Sequence, residues 1–415
     1  MTTNTHTTAI NSATRTYTMP LIFLTSLFFM WGFMTSLNDI LIPHLRSAFN
    51  LNYTQAMLIQ FCFFGAYALV SLPAGKLLDR IGYQKGIVAG LVLAGLGCWV
   101  FWPAAAALSY PLFLGALFIL AGGITILQVS ANPYVSALGP THTASSRLIS
   151  SQAFNSLGTT IGPWLGGLVI LGAVAKVGAD ASAEAGSVQL PYLGLGVLFM
   201  VMAAVFARIK LPVLDIEASS ANAAVQDDGK TAWSFPQLKF GIIAIFVYVG
   251  GEVAVGSFLI NYLGDGKIAG LSAAAAAPYV SYFWGGAMVG RFIGIFTTRW
   301  FAPGRVLALH ALAAVALVAL SMSSTGSVAM WSILAVGLCN SIMFPTIFSL
   351  AVSGLGQHTS QGSGLLCMAI VGGALLPVLQ GLIADFVGLQ AGFILPILCY
   401  LYITFYGLKF PHEQE

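Results

Sequence analysis

The chain has 415 residues, of which 58% are hydrophobic and only 7% charged, with a mean hydropathy of +0.89 and a formal net charge of +3. So few charges cannot cover the water-exposed surface of a soluble protein of this length, and the small net charge gives no footing for a nucleic-acid partner. A bilayer is the solvent that fits. Lipid admits only helices or closed barrels, and runs such as 86–103 and 241–263 stay apolar around the whole helical circumference instead of alternating, so the expected class is an all-α membrane protein.

A polar, Thr-rich tail (1–19) lacks the features of a signal peptide and is read as disordered. Apolar runs long enough to cross a bilayer then follow at 20–44, 57–78, 86–104, 112–137, 150–174 and 191–209. Residues 210–237 are the longest polar stretch and read as a flexible linker. A second series follows at 238–262, 273–298, 304–322, 328–352, 361–386 and 390–409, and 411–415 form a short tail. This predicts twelve transmembrane helices in two six-helix halves, 20–209 and 238–410. Of the 16 Lys and Arg residues, all but Arg46, Lys176 and Lys267 fall in the tails and the even-numbered connections, which places both termini in the cytoplasm. Features recur at an offset near 213 residues: Asp39 with Glu252, Gly75 with Gly290, Pro133 with Pro345, and Pro163 with Pro377. Parallel halves that rock about a site at their interface have such a repeat.

Asp39, beside Asn38 in the first run, and Glu252 in the seventh are the carboxylates clearly inside predicted spans. A charge in hydrocarbon costs from about 2.5 kcal/mol upward, so both are candidates for coupling to a proton or sodium ion. The second connection carries Gly75-Lys-Leu-Leu-Asp79-Arg80-Ile-Gly82-Tyr-Gln-Lys85, similar to the G-x-x-x-D-R-x-G-[RK] signature of the major facilitator superfamily. Gly75 permits close helix approach, Asp79 can sit at the positive end of a neighbouring helix, and Arg80 can pair across to the other half. Together with Arg291 in a degenerate second copy, they are the expected cytoplasmic gate. Asn38 lies in the first span, Gln128 and Asn132 share one face of the fourth, Gln152 and Asn155 are neighbours in the fifth, and Asn261 and Asn340 lie in the seventh and tenth. Amides donate and accept at once and so match arrays of sugar hydroxyls, while Tyr282 or Trp284 can stack on a pyranose face. Buried amides also hold helices together in lipid, and both readings stand at this level. The five cysteines lie singly in apolar runs and suggest neither a metal site nor a cofactor. No nucleophile with a base partner and no phosphate-cradling loop is present, so an enzyme or receptor is disfavoured.

With these residues placed, the chain resembles the fucose-galactose-glucose group of the major facilitator superfamily nearly end to end. The resemblance is carried by Trp31-Gly32, Leu37-Asn38-Asp39-Ile40-Leu41, Ala131-Asn132-Pro133-Tyr134-Val135, Gln152-Ala-Phe154-Asn155-Ser156-Leu157-Gly158 and Phe344-Pro345-Thr346-Ile347-Phe348-Ser349-Leu350. It implies cation-coupled uptake of a monosaccharide across a bacterial inner membrane by a protein working as a monomer. In the L-fucose symporters of this group two carboxylates serve substrate and proton. The first matches Asp39, but the position of the second is Gln128, which cannot take up a proton. Either Asp39 couples alone, or Glu252 takes the second role, or the ion is sodium. Leu127-Gln128-Val129 and Gly250-Gly251-Glu252-Val253 look closer to the glucose/galactose members, so a D-glucose or D-galactose type hexose is expected, with L-fucose, N-acetylhexosamines and a drug exporter of the same fold as alternatives.

Overall fold

The computed structural model describes residues 18–49, 53–166, 188–209, 211–212 and 231–412. The expected disordered tail, most of the linker and the end of the fifth run lie outside them.

The first series folds as α1 (Thr18–Ala48), α2 (Tyr53–Ile81), α3 (Tyr83–Ala106), α4 (Tyr110–Ala137), α5 (Ala144–Gly166) and α6 (Gln189–Arg208). The second begins with α7 (Pro236–Gly264), α8 (Ala273–Trp300) and α9 (Pro303–Ser323). Its last three runs are interrupted. The tenth divides into α10 (Gly326–Asn340) and α11 (Met343–Val352), and the eleventh into α12 (Thr359–Met368) and α13 (Gly372–Val387) around a 3₁₀ turn at Ala369–Val371. The twelfth is a single turn, Leu389–Gly392, followed by α14 (Ile394–Lys409). Among the described residues, ten stretches are long and apolar enough to cross a membrane.

Within the first series α1 packs on α5, and α3 lies between α4 and α6; in the second α7 packs on α13 and α14, and α9 on α10 and α14. The two series meet along α2–α12, α4–α12, α5–α8 and α5–α11. Residues 120–136 of α4 are buried almost without interruption, so this helix is enclosed by protein and its polar side chains face other helices, not lipid.

Prolines explain where backbone groups are released. A proline inside a helix has no N–H and its ring crowds the carbonyl four residues earlier, leaving that carbonyl to find another donor. Pro133 frees the carbonyl of Val129 without breaking α4, and Ser363 Oγ of α12 donates to it at 2.9 Å. Its repeat partner Pro345 lies just past the α10–α11 break and frees Ser341, whose carbonyl accepts from Arg291 Nε at 3.1 Å. At the same break the carbonyl of Asn340 accepts from the Tyr248 hydroxyl at 3.2 Å, and that of Cys339 meets His310 Nδ1 at 3.2 Å. The interruption is thus supported from α7, α8 and α9, and buried carbonyls do not go unpaired.

Candidate functional site

Two seams join the helix series. The first is the crossing of α2 and α12, which glycine makes possible. A Cβ on Gly75 would stand 2.9 Å from the carbonyl oxygen of Ser360, and one on Gly364 would stand 2.8 Å from that of Ser71. Close contact carries Asp79, near the end of α2, to the start of α12. There it accepts hydrogen bonds from Ser360 Oγ and, at 3.4 Å, from Gln361 Nε2. A carboxylate at the first turn of a helix meets unpaired N–H groups and the positive end of the helix dipole. Arg80 is exposed and makes no ion pair among the described residues.

The second seam runs antiparallel along α5 and α8. Ser146 Oγ donates to the Ile295 carbonyl at 2.7 Å, Arg291 donates to Ser156 Oγ and to the Gln152 carbonyl at 3.3 Å, and Thr160 lies 3.7 Å from the sulfur of Met288. Ile149 of α5 inserts beside Ile342 and Val306, with Ile295 packed against them, as a small apolar plug separate from the main core. Ser145 and Ser349 join α5 to α11 through their hydroxyls. Arg291 therefore belongs to this seam and to the α10–α11 break, nine residues inside the end of α8, while Asp79 and Arg80 lie on the α2–α12 crossing.

The amides separate into groups. Gln128 is buried on α4 and donates to the Tyr67 hydroxyl of α2. Asn132, one turn on, and Asn340, at the end of α10, are fully buried, and neither side chain has a hydrogen-bond partner in the protein. Gln152 is buried on the seam face of α5. Asn155 instead turns to α1 and donates to the Phe28 carbonyl at 3.0 Å, where a Cβ on Gly32 would collide with the Asn155 backbone; its present role is a helix contact. Asn261 is exposed near the end of α7.

Trp284 and Tyr282 point to different places. The Trp284 ring lies over Gly256 of α7, 3.2 Å from where a Cβ would be, one turn from Glu252 and on the α8 stripe that continues through Met288 and Arg291. It is 44% exposed. Tyr282 turns away to pack on Tyr279 and Trp331, with ring centroids 5.8 and 6.0 Å distant. One carboxyl oxygen of Glu252 is buried without a hydrogen-bond partner. Around it are Tyr248 on the same helix, Arg291 of α8 and Tyr400 of α14, all close enough to interact electrostatically. Asn38 and Asp39 fall on α1, but their side chains lie outside the described part.

Sequence reasoning passed over Tyr67, Ser360, Ser363 and Gln380, the last fully buried with both amide atoms unpaired. Ser363 was findable in principle, because Pro133 marks the Val129 carbonyl as one whose donor must be sought.

A bundle of apolar helices, and a carboxylate from one series bound by side chains at the start of a helix of the other, agree with what comparison with known proteins finds. The Major Facilitator Superfamily profile matches residues 22–370. The chain belongs to this superfamily. It is 57% identical over 397 residues to a glucose/galactose transporter of Brucella abortus, covering 96% of this chain and 95% of the relative. It is 36% identical over 420 residues to the L-fucose-proton symporter of Escherichia coli, covering 95% and 93%. The crystal structure of the superfamily transporter FucP in the outward conformation superposes with a TM-score of 0.85 at 34% identity, covering 95% of this chain and 99% of that one. The resemblance read from the motifs is borne out, and this superfamily member is a multi-pass membrane protein.

Proposed function

We propose that this chain is a secondary transporter that carries a monosaccharide together with a cation into a bacterial cell across the inner membrane, by alternating access. The substrate is a hexose of the D-glucose or D-galactose type. The observation that carries the reading is the set of buried amides, Gln128, Asn132 and Gln152 in the first series and Asn340 in the second, together with the half-buried Glu252, one of whose carboxyl oxygens has no partner. A buried amide without a protein partner costs about 1–3 kcal/mol, and an array of sugar hydroxyls supplies what it lacks. The sugar class is supported by identity to glucose/galactose transporters, and ion coupling by the L-fucose-proton symporter.

In this reading twelve helices cross the bilayer as two halves, 20–209 and 238–410, joined by a cytoplasmic linker, with both termini on the cytoplasmic side. The seams at Asp79 and Arg291 are then the inner closure that opens for release. The protein works as a monomer in the lipid bilayer, and the coupling ion enters through Asp39 or Glu252. Counterflow of radiolabelled sugar into liposomes holding the purified protein, with competition by a panel of sugars, tests this. D-Glucose or D-galactose should compete best. Preference for L-fucose or an N-acetylhexosamine would move the substrate within the sugars, and no sugar counterflow beside drug-driven proton release would replace the reading with an exporter.

A further inference from the structure

We propose that Arg291 is a positioning residue that ties closure of the α5–α8 seam to the ionisation of Glu252, so that the ion sensed at this carboxylate is a proton and not sodium. The inference rests on the transport reading above, but its physical content is a link between one side chain and one seam.

Arg291 is committed in two directions. Nε holds the Ser341 carbonyl released by Pro345, and Nη1 reaches across to Ser156 and the Gln152 carbonyl of α5. Glu252 stands one turn from Tyr248, whose hydroxyl donates to the carbonyl of Asn340, the residue before the Ser341 that Arg291 holds, so carboxyl and guanidinium belong to the same break; they make no direct ion pair, and one carboxyl oxygen of Glu252 is buried without a partner. The other titratable groups facing Glu252 are Tyr248 on its own helix and Tyr400 of α14, with Cys399 and Cys339 behind Tyr400. None of these is a cation. Arg291 is therefore the one positive charge available to Glu252 among the described residues.

This arrangement suits a neutral carboxyl. An ionised carboxylate in so enclosed a position attracts the guanidinium, because hydrogen bonds between charged groups are roughly twice as strong as those to a hydroxyl or carbonyl. Turning Nη1 toward Glu252 withdraws it from Ser156 and Gln152 and removes the polar lock between α5 and α8. Protonation returns the guanidinium to α5. Sodium could not act in the same way: Nε stays tied to the Ser341 carbonyl, so a bound sodium would remain within repulsive reach of the guanidinium, whereas a proton removes the negative charge and leaves no second cation there. Glu252 and closure of the seam are linked reciprocally, and whatever favours one favours the other.

The seam can be read directly, without sugar. Spin labels at Thr141→Cys, before α5, and Trp300→Cys, at the end of α8, sit at exposed positions; Cys62 is replaced by Ser, and the remaining cysteines are buried. Pulsed dipolar spectroscopy on the full chain in nanodiscs gives the populations of short and long separation from about pH 5 to about pH 9. The long-separation population should rise roughly tenfold with pH in the otherwise unaltered protein, the counterpart of about 1.4 kcal/mol. Glu252→Gln should stay short at every pH. Arg291→Gln should be long and unresponsive, and Arg291→Lys should recover a pH response that a purely structural role would not give. Sodium added at constant pH should change nothing. A Glu252→Gln protein that keeps the unaltered pH profile, or a seam that closes with sodium, would overturn the proposal. Should Arg291→Gln fail to fold, the Glu252→Gln profile decides alone. Because no sugar is present, a protein that transports no hexose but shows this linkage refutes the substrate reading and leaves the inference standing.

Discussion

Gly75→Ala isolates the α2–α12 crossing. The added methyl would sit 2.9 Å from the Ser360 carbonyl oxygen and 3.5 Å from the Cα of Gln361. The nearer atom is backbone and cannot rotate aside, so the helices must separate locally by about half an ångström to restore ordinary contact, the kind of overpacking that costs about 1–3 kcal/mol. The strain exists only while the seam is closed and disappears when the helices part. It should therefore shift the closed-to-open equilibrium toward open by roughly 5- to 150-fold. Asp79 rides on the same turn of α2, so its bonds to Ser360 and Gln361 loosen as well. Labelling of cysteines placed along the α2–α12 face, using membrane-impermeant reagents on inside-out vesicles, measures the shift. Gly65→Ala serves as control, since a Cβ there meets nothing within 4 Å. Accessibility in Gly75→Ala equal to that in Gly65→Ala would refute the argument that close backbone approach holds this side shut.

Other outcomes follow from neighbouring groups. Asp79→Asn keeps an acceptor for Ser360 but removes the charge at the start of α12, and at about 0.3–1 kcal/mol should slow net transport while leaving sugar binding by calorimetry nearly unchanged. Asn132→Ala and Asn340→Ala, whose amides have no protein partner, should lose about 1–3 kcal/mol of sugar affinity with little loss of thermal stability. Asn155→Ala, which gives up its bond to the Phe28 carbonyl, should show the opposite pattern: lower melting temperature, affinity retained. Asp39→Asn should abolish ion-driven accumulation yet retain counterflow, where no net ion movement is needed, and the same pair of assays on Glu252→Gln tells whether it shares the role.

The helical class, the family and the positions of most spans were legible because they follow from runs of apolar residues and a motif with rigid spacing. The α2–α12 contact was legible in part. Gly75 and Asp79 announced a close approach and a helix-end carboxylate, but nothing local could name Ser360 as the partner some 281 positions away. The divisions of the tenth and eleventh runs were not anticipated, because hydropathy does not change across them. Pro345 offered the clue, yet Pro133 in the same repeat position leaves α4 intact. The partners of Arg291 were illegible for a related reason: the motif copy nominated the residue, but the carbonyl it serves is free only because the chain breaks at Ser341. Among the amides, sequence could nominate but not sort. Asn155 and Asn132 have the same chemistry, and only packing separates the one bound to α1 from the one left without a partner.

The seams contain little that dissolved salt can weaken. Among the described residues, apart from Asp79 with its partner Gln361 and Arg291, the polar side chains that cross them are hydroxyls such as Ser145, Ser146, Ser349 and Ser363, beside the apolar plug around Ile149. Ionic strength screens exposed charges beyond about 10 Å at 0.1 M but scarcely touches buried neutral hydrogen bonds. A closure made this way should open at nearly the same rate in dilute and concentrated cytoplasm, with only the Asp79 contact responding. The barrier to leakage would then keep a nearly constant height while the salt on either side of the membrane varies.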